Sequence, residues 1–327
     1  MNLGKKLALA LTLASAAALP LHSANAQAQA QAWPERPVRM LVPFPPGSAT
    51  DLAARVIGQQ LGAALGQPFV IENKPGAGGS IAGIEVVRAA PDGYTLMFAS
   101  NSAAASNVAL LKHMPYDPRK DLTAVAGTSE TTLVLMVKSS FPVKDLKEFI
   151  AYARQRPGKL SAGYGSSSSQ ISAALLNKLA GLDTLLVPYK GIPLAVNDVV
   201  GGVVDYTFVD LGNAMAQAKG GLLKPIAITS AARNPLVPDW PTLAEVTPGF
   251  DISAWFAIVG PANMPRPVVD RLYAATQKAL LQPEVKDKLA SIGQVPMALA
   301  PDALKSFIAA EVLKWQRLAK DANIQPE

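Results

Sequence analysis

Val38 to Asp51 reads VRMLVPFPPGSATD. An apolar run (Val38, Met40, Leu41, Val42) enters a turn rich in proline and glycine, after which Ser48, Ala49, Thr50 and Asp51 open a helix. Such a strand, turn and helix start brings unpaired backbone N–H groups and the positive end of a helix dipole to one place. That is the outline of an anion site. The pattern recurs where Phe69 to Ile71 runs into Glu72 to Ser80 (ENKPGAGGS), and where Leu160 to Tyr164 runs into Gly165 and the four serines Ser166 to Ser169. The chain is organised to hold something negative with amides and hydroxyls rather than with arginines.

Outward from that stretch, strand-like and helix-like runs alternate. Asp51 to Leu65 carries apolar residues at helical spacing, Phe69 to Ile71 reads as a strand, Ile81 to Ala89 as a helix and Tyr94 to Ala99 as a strand. The middle third repeats the theme. It has strands at Thr132 to Val137, Leu160 to Tyr164, Leu185 to Pro188, Tyr206 to Val209 and Pro225 to Thr229, with helices at Val143 to Arg154, Gln170 to Ala180 and Leu194 to Val200. A proline-rich loop from Arg233 to Phe250 marks a change of organisation. Beyond it come a strand at Ala254 to Val259 and three helices, Val268 to Leu281, Glu284 to Ile292 and Pro301 to Ala319. Alternation predicts an α/β protein with parallel sheets covered by helices on both faces. The length suits two domains. The expected division is residues 33–127 with 253–327 in domain 1 and 128–252 in domain 2, so that the chain crosses between them twice.

Met1 to Ala26 places Lys5 and Lys6 before an apolar stretch from Leu7 to about Leu21, then Ala24, Asn25 and Ala26. This is an export signal, expected to be cleaved after Ala26; the Gln and Ala repeat of Gln27 to Ala32 would be a frayed mature N-terminus. There is no cysteine, hence no lipid-attachment thiol and no disulfide framework. Losing Lys5 and Lys6 lowers the formal charge from +6 to +4. That excess is spread thinly, with no basic stripe interleaved with aromatics, so nucleic acid is excluded as a partner.

Catalytic readings find few residues to use. His22 leaves with the signal, and His113 alone remains in the mature chain, in the turn-like Lys112 to Pro115. A secreted α/β hydrolase would have to use His113, and Gly163, Tyr164, Gly165, Ser166 lacks the G-x-S-x-G elbow. Without cysteine and with one histidine, no metal site is expected. The Gly76, Gly78, Gly79, Gly83 cluster does not keep dinucleotide spacing, since Ile81 stands where glycine or alanine is needed. No cofactor is expected. Ser48 and Asp51 stand at capping-box spacing, which favours a loop-shaping role for Asp51 over a ligand contact that would set two carboxylates together. Trp255 and Phe256 fit cleft or core equally.

Eight pieces in register, VPFPPGSATD (42–51), VIENKPGAGG (70–79), APDGYTL (90–96), PYDPRKD (115–121), RPGKL (156–160), VPYKG (187–191), LKPIAIT (223–229) and Trp315, resemble the Bug-type periplasmic solute receptors of tripartite tricarboxylate transporters. The resemblance implies a type II periplasmic binding protein: two α/β domains, two crossing segments, and a small di- or aromatic carboxylate held in the cleft. It implies ligand contacts from Gly47, Ser48, Ala49, Thr50 and Asp51 and from Ser100, Asn101 and Ser102 on one side. From the other it implies Ser166, Ser167, Ser168, Ser169, Lys190, Gly191 and Asp210. It further implies a periplasmic monomer that is not an enzyme, delivering ligand to the membrane subunits of a transporter or, alternatively, to a signalling receptor. One departure stands out: relatives commonly carry a histidine at the helix start where this chain has Ser168, Ser169, Gln170 and Ile171.

Overall fold

The computed structural model describes residues 33–326. The expected signal peptide and its cleavage site lie outside the described residues. The chain forms β1 (Val38–Val42), α1 (Ala49–Leu65), β2 (Phe69–Asn73), α2 (Ser80–Val87) and β3 (Thr95–Ser100). A π-helical turn (Ser102–Ser106) leads into the short α3 (Asn107–Leu110), and then comes the long β4 (Leu122–Lys138). Next are α4 (Leu146–Arg154), β5 (Leu160–Tyr164), α5 (Ser167–Ala180), β6 (Thr184–Pro188), α6 (Ile192–Gly201), β7 (Tyr206–Asp210), α7 (Leu211–Lys219) and β8 (Leu223–Ile228). The chain closes with β9 (Ser253–Pro261), α8 (Arg266–Leu281), α9 (Pro283–Ser291), β10 (Val295–Pro296) and α10 (Pro301–Asp321).

Hydrogen bonding runs β2-β1-β3-β9-β4-β7-β5-β6, with β8 and β10 also on β4. The outer strands of each half are parallel, as alternation predicts: β2, β1 and β3 in one, β7, β5 and β6 in the other. The joining strands are not. β9 is antiparallel to β3 and to the first part of β4, whose second part pairs antiparallel with β7 and β8. Strand β4 is therefore one continuous element shared by both halves, and it begins ten residues before the expected Thr132. Its first part, LTAVAGTSET, is small and polar and carries no apolar run, although its Thr128, Ser129 and Thr131 are buried.

One apolar cluster runs along a face of both halves, from Leu41 and Met97 through Leu135 to Phe149 and Tyr206, and takes in the inner side of α10. The other face of each half has its own cluster, under α1, α8 and α9 in the first and under α6 and α7 in the second. Of the three C-terminal helices, α8 and α9 pack on α1, while α10 covers β4, the π-helical turn and α3 and also reaches α5. The parallel order delivers the C-terminal ends of β1, β3, β5 and β7 to a common cleft, which is where ligands bind in open α/β sheets.

Candidate functional site

Strand β1 is buried except at Arg39, whose guanidinium pairs with Glu72 and Glu85 on its neighbours. The chain leaves it through Pro43 to Pro46 and turns at Gly47, whose φ of +80° suits glycine. Ser48 caps α1 by accepting the Asp51 N–H at 3.3 Å. The N–H groups of Ala49 and Thr50, at the first two helical positions, have no helical acceptor. Both residues line the cleft beside Ser48.

Asp51 does not line it. Its carboxylate, 2 % exposed, turns back into the loop. It accepts the Gly47 N–H at 2.9 Å and the Asn73 amide at 3.0 Å, and pairs with Arg55 at 2.9 Å. The expected capping box is thus shifted by one, because its return bond goes to Gly47 and not to Ser48, whose own N–H goes to Pro45. Burial pushes the Asp51 carboxyl up, but Arg55, Gly47 and Asn73 outweigh it and hold it below the usual carboxylate range.

Across the cleft, Ser166 caps α5 in a full capping box with Ser169. The Ser169 hydroxyl accepts the Gly165 and Ser166 N–H groups at 3.1 Å each, so Ser169 builds the loop and does not face the cleft. Ser166 and Ser168 face it, with hydroxyls 3.1 Å apart. Asp210 caps α7 by accepting the Asn213 N–H at 3.1 Å and its amide group at 3.0 Å. Burial pushes the Asp210 carboxyl up, and the Asn213 bonds only partly offset this.

These residues surround a cleft whose empty space, open solvent included, is about 430 Å³. One half contributes Phe44, Ser48, Ala49, Thr50, Ser100, Asn101, Ser102 and Phe256. The other contributes Gly165, Ser166, Ser168, Ile192 and Asp210, while Thr131, Leu133 and Ala254 come from the joining strands. Asp210 is the one ionisable side chain among these lining residues, and none is cationic. Phe256 faces the chamber. Its neighbour Trp255 points the other way, donating to the buried Glu311 at 2.7 Å, as strand alternation requires.

The two halves touch around the chamber. The Asn213 amide donates to the Gly47 carbonyl at 3.2 Å. Ser167, expected to bind ligand, instead bonds Ser102 at 2.7 Å and Ser106, closing the chamber wall. Gly191 also falls outside the chamber: it starts α6 packed so tightly on Pro45 that a Cβ would lie 2.5 Å from the proline ring. A Cβ on Gly212 would likewise strike the Ile292 carbonyl. Gln294, 1 % exposed, ties the first loop to β4 by donating to the Ala49 carbonyl at 2.9 Å and accepting from Ser129 at 2.6 Å. Lys190 lines a second opening beside the chamber, together with Gln170. The contributions of Phe44, Thr131, Leu133, Ile192 and Ala254 were not foreseen; they are apolar or β-strand positions without chemical signature. His113 is exposed and lines neither opening. Among the described residues no cluster of His, Asp or Glu could hold a metal ion, and no helix is long and apolar enough to cross a membrane.

The sequence profile of the tripartite tricarboxylate transporter family receptor matches residues 53–324. A solved structure from R. palustris with adipate is 33 % identical, covers 90 % of this chain and all of its own, and superposes with a TM-score of 0.88. The periplasmic binding protein BugD is 31 % identical over 90 % of this chain and 100 % of its own, with a TM-score of 0.86. MatC from Rhodopseudomonas palustris, solved with bound malate, is 36 % identical over 88 % of this chain and 99 % of its own, with a TM-score of 0.83.

Proposed function

The chain belongs to the tripartite tricarboxylate transporter receptor family, whose members are periplasmic solute-binding proteins of the type II fold and not enzymes, and from that premise we propose that it captures a small carboxylate in the cleft. The observation that carries this reading is the chamber wall. Ser48, Ala49, Thr50, Ser100 and Ser102 line it opposite Ser166 and Ser168 with no cation among them, and the N–H groups of Ala49 and Thr50, in the first turn of α1, have no helical acceptor. Hydrogen bonds from N–H to an ionised carboxylate are about twice as strong as neutral ones, so a few suffice without arginine. That relatives were solved with adipate and with malate supports the ligand class.

In this reading the ligand contacts are Ser48, Ala49, Thr50, Ser100, Asn101 and Ser102 from domain 1 (33–127 with 253–327), and Ser166, Ser168 and Asp210 from domain 2 (128–252). Gly47, Asp51, Ser167, Ser169 and Gly191 shape the loops and the contacts between halves. The domains close on the ligand, and the closed monomer is the form recognised by the membrane subunits of the transporter. Export by the N-terminal signal places it in the periplasm.

A thermal-shift screen of mono-, di- and aromatic carboxylates, each beside its methyl ester, tests the ligand class. A ligand at about 100 times its Kd stabilises by roughly 2.7 kcal/mol, enough to raise Tm by about 5 °C. The reading expects that shift from an acid and not from its ester. Equal shifts from acid and ester, or stabilisation only by uncharged solutes, would overturn it.

A further inference from the structure

A Cβ on Gly83 would strike the Tyr116 ring, and one on Gly165 would strike the Gly191 backbone, each within one half of the molecule. Gly191 and Gly212 differ. Neither has the positive φ that calls for glycine, and Gly191, at φ 177° and ψ 159°, is extended backbone open to any residue. What leaves no room for a side chain is in each case the opposite half. On Gly191 a Cβ would lie 2.5 Å from the Pro45 ring, and beyond its chain neighbours its own half comes no nearer than Pro193 at 3.8 Å. On Gly212 it would lie 2.1 Å from the Ile292 carbonyl oxygen. Among the described glycines these two alone owe a clash below 3.0 Å to the other half without also having a positive φ.

Neither contact can relax locally. Pro45 is a rigid ring, and behind Gly191 the backbone rests on Gly165, whose added Cβ would be 2.2 Å from the Gly191 carbonyl carbon. Ile292 leads into a strap that is pinned in place: the Gly293 carbonyl accepts the Thr131 hydroxyl at 2.7 Å, while Gln294 donates to the Ala49 carbonyl and accepts from Ser129. A side chain at either glycine is therefore accommodated only by moving one half away from the other. Both contacts stand beside the chamber without lining it, Gly191 next to the lining residue Ile192 and Gly212 two residues after Asp210.

We propose that Gly191 and Gly212 are positioning residues for ligand capture: paired stops, at the starts of α6 and α7, whose missing side chains let the halves close to the depth at which both walls of the chamber reach one ligand. This rests on the closure of the halves proposed above and names the residues that set its extent. The local chemistry runs the other way. Serine is a better N-cap than glycine for α6, and alanine is a better helix former than glycine in α7. G191S and G212A should therefore leave each half as stable as before, or more so, while holding the halves apart.

The chain has no cysteine, and the Ser102 and Ser167 hydroxyls meet across the halves at 2.7 Å, so S102C/S167C supplies a thiol pair that can be joined only when the halves close. Its oxidation by diamide, followed on non-reducing gels, reads closure without any ligand. G191S and G212A, each added to that pair, should slow the crosslink about 5- to 150-fold, the range for forcing an extra group into a packed contact. Urea unfolding of each single variant should meanwhile show stability unchanged or raised. Crosslinking at the parent rate in either variant, a loss of stability in either, or no crosslink in the S102C/S167C parent would overturn the proposal. The carboxylate reading is judged separately, by whether any mono-, di- or aromatic acid of the screen speeds the crosslink in the parent. If none does, that reading fails while the stops stand or fall on the ligand-free rates.

Discussion

Asp51 and Asp210 both stand at the starts of helices that open on one cleft, and their surroundings push them in opposite directions. Asp51 is held ionised by Arg55, Asn73 and the Gly47 N–H against the cost of burial. A carboxyl lowered in the folded state contributes stability that is complete above its ordinary pKa of about 4 and is lost as pH falls through the lowered value. D51N should therefore cost about 1–3 kcal/mol at pH 7, measured by urea unfolding, and this difference should shrink at strongly acid pH. Asp210 behaves in reverse. Its folded-state pKa is raised by burial, with Asn213 only partly compensating, so folding carries a penalty that grows as pH rises above the ordinary carboxylate pKa. D210N keeps a good helix cap and should make the ligand-free protein more stable at pH 7 but not at pH 3. A third prediction concerns Ala49. Ser48 already has φ −68° and ψ 156°, a conformation that suits a following proline, and proline is tolerated in a first helical turn. A49P should fold normally yet lose one charge-assisted bond of about 1.5–3 kcal/mol, weakening carboxylate binding about 10- to 150-fold. Unchanged affinity in folded A49P would place the ligand elsewhere.

At the scale of elements, the helices that close the cleft are held by short polar reaches from one half to the other. Asn213, in the first turn of α7, does not line the chamber but joins Asp210 to the Gly47 carbonyl of the opposing loop. N213A should leave the fold intact, since Asp210 keeps its bond to the backbone N–H of residue 213. It should weaken ligand binding about two- to tenfold, seen by stopped-flow as faster release. Equal release rates would show that this contact does not hold the closed form. The elements were legible in the sequence where hydrophobic periodicity was strong: β1, β5 and α8 fall within two residues of their expected bounds. They were illegible where burial is polar. The first part of β4 is buried through Thr128, Ser129 and Thr131, and α7, NAMAQAK after its first two residues, has too few apolar positions to announce a helix. The site followed the same division. Hydroxyls and amides at helix starts could be found from strand-to-turn patterns, which is why Ser48 and Ser166 were expected from the residues, whereas Asp210 was implied only by the family resemblance. Which serines face inward depends on capping geometry that spacing does not determine, so Ser168 lines the chamber while Ser167 and Ser169 are spent on the wall and the cap.

At the scale of the whole molecule, β4 and β9 join two halves that meet again across the ligand chamber, at Gly47 with Asn213, at Ser102 with Ser167 and at Pro45 with Gly191. In the proposed reading the chamber, lined from both halves, takes up its ligand when the halves separate, a hinge motion of the kind known in periplasmic receptors. The central claim is that a carboxylate closes this cleft, and small-angle X-ray scattering tests it most directly. The mature protein should show a smaller radius of gyration with the most stabilising acid of the screen than without it, the bound curve matching that calculated from this structure. In S168D, which sets a negative charge in the chamber wall, the ligand-free curve should be unchanged and the acid should no longer shrink it. Identical curves with and without an acid that calorimetry shows to be bound, or contraction that persists in S168D, would contradict the account.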